Sequence, residues 1–104
     1  MNLKSAVILI LIGSSISLSA QSFDAKQQFQ QKCAMCHGAD GKTPSMIGKN
    51  LGSPDLSSEK VQKMSDKELH DILSKGKGKM PSYDKAFGDK NIDAMVKYVR
   101  GIKK

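Results

Sequence analysis

The stretch that decides the fold is "CAMCHG", Cys33 to Gly38, which holds both cysteines of the chain and one of its two histidines. A disulfide, a zinc site and a covalently attached haem each use such residues, and the rest of the chain has to choose between them. Two thiols at i and i+3 lie one helical turn apart on the same side. They can reach the two vinyl groups on one edge of a porphyrin, and His37, next in the chain, is then carried beneath the ring. C-x-x-C-H therefore reads as a haem c attachment site, one per chain, with Cys33 and Cys36 as the covalent links and His37 as the proximal iron ligand.

The rivals need context that is missing. A redox-active C-x-x-C expects a helix that opens after a strand, and the sequence after position 20 shows no β-branched alternation. Zinc needs four ligands, commonly from two such pairs, and this chain has two Cys and two His in total. One disulfide across three positions would also constrain the unfolded chain little.

Working outward, "MNLKSAVILILIGSSISLSA" (1–20) has an early cation, Lys4, an apolar run from Ala6 to Ile12 and small residues up to Ala20. That is the layout of a secretory signal peptide cut after Ala20, although Leu18 is not small. An uncleaved anchor is the alternative, since Leu3 to Ala20 is just long enough to span a membrane. The expected organisation is a leader over 1–20 and one domain over 21–104, periplasmic and monomeric, and off the membrane once the leader is cleaved. Loss of Lys4 takes the formal charge from +7 to +6. The domain is near the lower size limit for an adequate core, with no Trp, three Phe and two Tyr. A large apolar cofactor would complete such an interior.

The apolar periodicity predicts three main helices. The first runs from about Asp24 to Met35, with Ala25, Phe29 and Cys33 along one face. The second follows an S-x-x-E capping box, Ser65 and Glu68, with Met64 and Leu69 as a hydrophobic staple, and ends at Gly76. The third starts near Asn91, buries Ile92, Met95, Val96 and Val99, and ends at Gly101. A short helical turn is expected over Ser58 to Lys63, and two glycine-rich loops over Gly38 to Pro54 and Gly76 to Asp89. The fold class is all-α, three main helices with long loops wrapped around one covalent haem.

What closes the sixth iron position decides the function. His70 points roughly 107° from the apolar stripe of its helix and reads as an exposed flank. Met35, Met64 and Met95 have other places, and Met46 is a weak loop rival. Met80 sits in "GKGKMPSY", after two glycines that permit close backbone approach and before Pro81, which stiffens the loop. It is the expected distal ligand. Leu51, Leu56, Leu69, Leu73, Tyr83 and Phe87 are the expected pocket walls. Lys75, Lys77, Lys79 and Lys85 crowd the methionine segment, either as a solvated face or as a basic ring for transient, acidic redox partners. Nucleic acid is not an expected partner of an exported chain.

Taken together these residues resemble the class I cytochromes c, over essentially the whole of 21–104. "FQQKCAMCHGADGK" resembles that family's first helix and haem peptide, and "ELHDILSKGKGKMPSY" its helix-then-methionine segment. "MVKYVRGIKK" resembles its closing helix, which implies that Tyr98 packs near Phe29. "GSPDL" resembles the loop whose proline carbonyl accepts from the proximal histidine, here Pro54 from His37 Nδ1. Ala25 stands where the family usually has glycine. The resemblance implies an electron carrier and no enzyme, a small bacterial monohaem member. The competing reading is a haem sensor or peroxidatic protein with an open or labile sixth position.

Overall fold

The computed structural model describes residues 22–103, so the expected leader over 1–20 lies outside the described residues. Among the described residues the chain forms seven helices, and its one strand-like feature is an isolated Lys77–Met80 bridge. No helix among them is long and apolar enough to cross a membrane.

The first predicted helix is two. α1 (Ala25–Lys32) starts at Asp24, whose carboxylate accepts from Gln27 N–H at 3.1 Å. At Cys33 the backbone departs from regular helix while staying right-handed (φ −114°, ψ −32°), and α2 (Ala34–His37) follows at once, with the Cys36 and His37 amides both donating to the Cys33 carbonyl. The i, i+3 spacing of the cysteines is thus kept on a helical turn.

Each loop expected to be irregular holds a short helix. α3 (Met46–Leu51) is capped by Ser45, whose Oγ accepts from Gly48 N–H at 3.0 Å and donates to the Met35 carbonyl at 2.5 Å. Gly48 is buried where α3 crosses α2, and a methyl group on it would overlap the Cys36 carbonyl. α3 is therefore held by backbone approach rather than by an apolar stripe, which is why periodicity does not reveal it. α6 (Asp84–Phe87) has no side-chain cap and one buried residue, Phe87, so it too lacks a sequence signal.

The remaining elements follow the sequence closely. α4 (Glu59–Gln62) is the expected turn, capped by Ser58. α5 (Asp66–Lys75) has both halves of the Ser65–Glu68 capping box, at 3.0 Å each. α7 (Asp89–Arg100) buries Ile92, Met95, Val96 and Val99. α1 packs across α7, where the Phe29 and Tyr98 rings lie 5.0 Å apart, as the resemblance implies. Ala25 is half-buried against the same core.

α5 also packs on α7, and polar clasps fasten that end of the molecule. Arg100 pairs with Asp66 at 2.9 Å and donates to the carbonyls of Gln62 and Met64. Gln62 Nε2 reaches the carbonyl of Leu56, just before α4, and those of Val99 and Ile102 at the C-terminal end of α7, where helix carbonyls need partners. His70 corrects the expectation of an exposed flank. Its side chain is 23% exposed, and Nε2 reaches Asp89 at 3.0 Å and Asp93 at 3.6 Å, tying α5 to α7.

Candidate cofactor site

On one side of the core the side chains do not meet. They enclose an apolar cavity of about 420 Å³, within the range of about 300–1,000 Å³ typical of small-molecule sites. Its lining includes Cys33, Cys36, His37, Pro54 and Met80, five residues from three separate stretches of sequence.

The attachment peptide contributes from α1 and α2. Both cysteines are free thiols. Cys33 is buried, and burial pushes its thiol up to about 11, so it faces the cavity as a neutral group. His37 is also drawn inward, and desolvation lowers its proton affinity. The nearby Pro54 carbonyl opposes that shift, yet His37 Nδ1 has no partner at hydrogen-bonding geometry and is buried. Pro54 lies beside the ring, and the implied hydrogen bond is not formed. An orphaned buried nitrogen is uncommon, and a small ring rotation toward Pro54 would satisfy it while leaving the other ring nitrogen for a metal.

The methionine segment supplies a further part of the lining. α5 ends at Gly76, which takes φ +80°, and a Cβ there would meet the Met80 carbonyl and Pro81 backbone. The chain then folds tightly back: Lys77 N–H donates to the Met80 carbonyl at 3.1 Å and Met80 N–H to the Lys77 carbonyl at 2.9 Å. The Tyr83 amide donates to the Leu73 carbonyl at 2.8 Å, fixing the far end of the segment on the last turn of α5. Met80 is half-buried and packs on the core from this turn.

Of the expected walls, Leu51, Leu56, Leu69, Leu73 and Tyr83 line the cavity. Phe87 does not: it stands behind Tyr83, rings stacked at 5.2 Å, and meets Phe23 edge-on at 5.4 Å. Phe29, Val61, Met64, Ile72, Met95 and Val99 add to the apolar surface. All but Met64, which lies between α4 and α5, come from helices α1, α4, α5 and α7, and sequence pattern does not separate a wall facing a cavity from one facing core.

The charged lining is four lysines, Lys32, Lys60, Lys77 and Lys79, with no carboxylate. Two were expected. Lys32 and Lys60 come from α1 and α4 and carry no local signal of where the fold brings them. Lys75 and Lys85 are exposed away from the lining. Met46 is exposed and outside the cavity, as is Met35.

The donor set is two thiols, an imidazole and a thioether around an apolar chamber. Among the described residues no three His, Cys, Asp or Glu side chains converge as a metal site of their own. The residues fit a flat, largely apolar, covalently held iron group, and His37 keeps its other ring nitrogen as a donor for the metal.

Comparison with known proteins agrees. The family model for cytochrome c oxidase, cbb3-type, subunit III matches residues 24–99. Among solved structures the chain is similar to the "KustC0563 c-type cytochrome" at 30% identity, covering 79% of this chain and all of that one, with a TM-score of 0.73. A point mutant of that cytochrome gives 29% identity over 78% of this chain and all of the other, with a TM-score of 0.69. The "c-type cytochrome NirC" shares the fold at 18% identity, covering 77% of this chain and 91% of its own, with a TM-score of 0.61. None of the curated proteins compared with it matches. The family is one of covalent haem and electron transfer, and its model spans helices, attachment peptide and methionine turn alike: the chain belongs to the c-type cytochromes, in the family described as cbb3-type cytochrome c oxidase subunit III.

Proposed function

We propose that this protein is a periplasmic electron carrier holding one haem c, bonded through Cys33 and Cys36, with His37 and Met80 as the axial pair. The observation that carries the reading is the convergence of both thiols, the imidazole and the thioether on one apolar cavity. When bound, the group supplies an iron centre that accepts and releases a single electron.

The chain's own residues set the terms. Cys33 and Cys36, on one helical turn, fix the edge and orientation of the ring. The Pro54 carbonyl orients His37 and raises its basicity once the ring turns toward it. The Met80 thioether is a soft donor that favours the reduced metal and so raises the potential. Leu56, Val61, Leu69 and Leu73 keep water out, which disfavours the added positive charge of the oxidised state. With His37 and Met80 both holding the group, no place would be left for a substrate at the metal, and the protein would transfer charge without making bonds. Lys32, Lys60, Lys77 and Lys79 at the cavity, with a formal charge of +6 after cleavage, suit brief encounters with acidic redox partners. Export rests on the leader over 1–20, and mass spectrometry of the mature N-terminus tests it, with Gln21 as the expected first residue.

Met80→Ala tests the axial assignment. The expected protein keeps its haem, loses low-spin character in the oxidised state and has a lowered reduction potential. A variant that stays low-spin at an unchanged potential would remove Met80 from the role. Wild-type iron that is already high-spin and binds small ligands readily would favour a sensor or peroxidatic protein instead.

A further inference from the structure

Tyr83 lines the cavity beside Met80 and Pro81. Its ring is already placed by stacking on Phe87 at 5.2 Å, with Phe23 edge-on behind. Its amide is already placed by the Leu73 carbonyl. Packing therefore accounts for an aromatic ring here, but not for a hydroxyl at its tip. That hydroxyl donates to the carbonyl of Lys32 at 3.2 Å, across 51 positions of sequence. Lys32 is the last residue of α1 and directly precedes Cys33, at a helix end where carbonyls lack intrahelical partners. One hydrogen bond thus joins the methionine turn to the attachment peptide by a route that bypasses the cofactor.

We infer that Tyr83 is a positioning residue whose phenol, by tying the 80–83 segment to the end of α1, holds Met80 in place against exchange with outside ligands. The inference rests on the axial assignment proposed above. Among the described residues the other hydrogen bonds of this segment run to α5, through the Tyr83 amide, to α6, through the Phe87 amide on the Tyr83 carbonyl, and within the turn itself, through the Lys77–Met80 bridge, while Met80 and the Tyr83 ring are held by apolar packing. Swinging away on those anchors would withdraw the thioether without breaking any helix. The phenol is the contact that such a motion must break on the α1 side. At 3.2 Å the bond is long for a hydroxyl donor, so its effect belongs at the lower end of net hydrogen-bond values, about two- to fivefold in an equilibrium constant.

The test is titration of the oxidised holoprotein with imidazole, read from loss of the thioether-to-iron charge-transfer absorption, in wild type, Tyr83→Phe and Asp24→Ala. Tyr83→Phe keeps the stack and removes only the hydroxyl. Asp24→Ala removes the cap at the far end of α1 and lowers global stability without touching the cavity. The expected result is a tighter imidazole affinity by about two- to fivefold in Tyr83→Phe, with Asp24→Ala matching wild type although it melts earlier. An unchanged affinity in Tyr83→Phe, or an equal rise in Asp24→Ala, would overturn the inference and leave the axial assignment standing. A wild-type protein with no such absorption would overturn the Met80 assignment and this inference with it.

Discussion

At the scale of single residues, two glycines permit close backbone approaches that any side chain would block. Gly48 lets α3 touch the Cys36 carbonyl, and Gly76 lets the chain double back on Met80. Gly48→Ala therefore forces the attachment peptide and α3 apart. We expect it to cost about 1–3 kcal/mol, the usual range for overpacking, and to lower the haem-to-protein ratio of purified material; a melt and ratio equal to wild type would show that α3 yields freely. Phe29 is 1% exposed at the α1–α7 crossing. Phe29→Ala should lower stability by about 3–5 kcal/mol in denaturant unfolding, a large share of what a small domain holds. Cys33, Cys36, His37, Pro54 and Met80 all line one cavity; the sequence singles out the first three by the C-x-x-C-H spacing and Met80 by the glycines and proline beside it, and Pro54 only through the resemblance. Lys32 and Lys60 were not legible, since only the fold brings them to the opening.

At the scale of elements, a buried apolar stripe more than a cap decides what the sequence reveals. α5 carries a complete capping box and α7 a full apolar stripe, and both were legible to within two residues. α3 has a cap, Ser45, and a stop, Gly52, but Met46, Ile47 and Leu51 are exposed, so there is no buried face for periodicity to detect. α6 has neither cap nor stripe. His70 was misjudged for a related reason: helical phase places it off the stripe of α5 but says nothing of Asp89 and Asp93 on another helix. The capping box also has a pH signature. The Ser65 N–H and hydroxyl hold the Glu68 carboxyl below its usual value. A carboxyl lowered on folding adds stability above its unfolded pKa and loses it as pH falls toward the folded value. Wild type should thus lose melting temperature more steeply than Glu68→Gln as pH is lowered through the acidic range, and parallel curves would count against this. Ser65→Ala should cost about 0.5–2 kcal/mol at neutral pH, read from a thermal melt.

At the scale of the whole molecule, charge and cavity share a side. The lining of the chamber carries four lysines and no carboxylate. Such a local excess of positive charge orients encounters by field, and salt screens it over about 10 Å at 0.1 M. Oxidation of the reduced protein by ferricyanide, an anion, should slow with added salt, and Lys60→Glu with Lys79→Glu should flatten that dependence. A salt-independent rate in wild type would mean that the lysines play no part in approach. The overall architecture was legible because a small, aromatic-poor chain with one C-x-x-C-H has few ways to complete an interior. The central claim is that Cys33 and Cys36 are the two points at which a haem becomes part of that interior. The intact mass of the denatured protein tests this most directly: it should equal the mature polypeptide plus one haem, whereas the bare polypeptide mass, or that mass less two hydrogens for a disulfide, would contradict it.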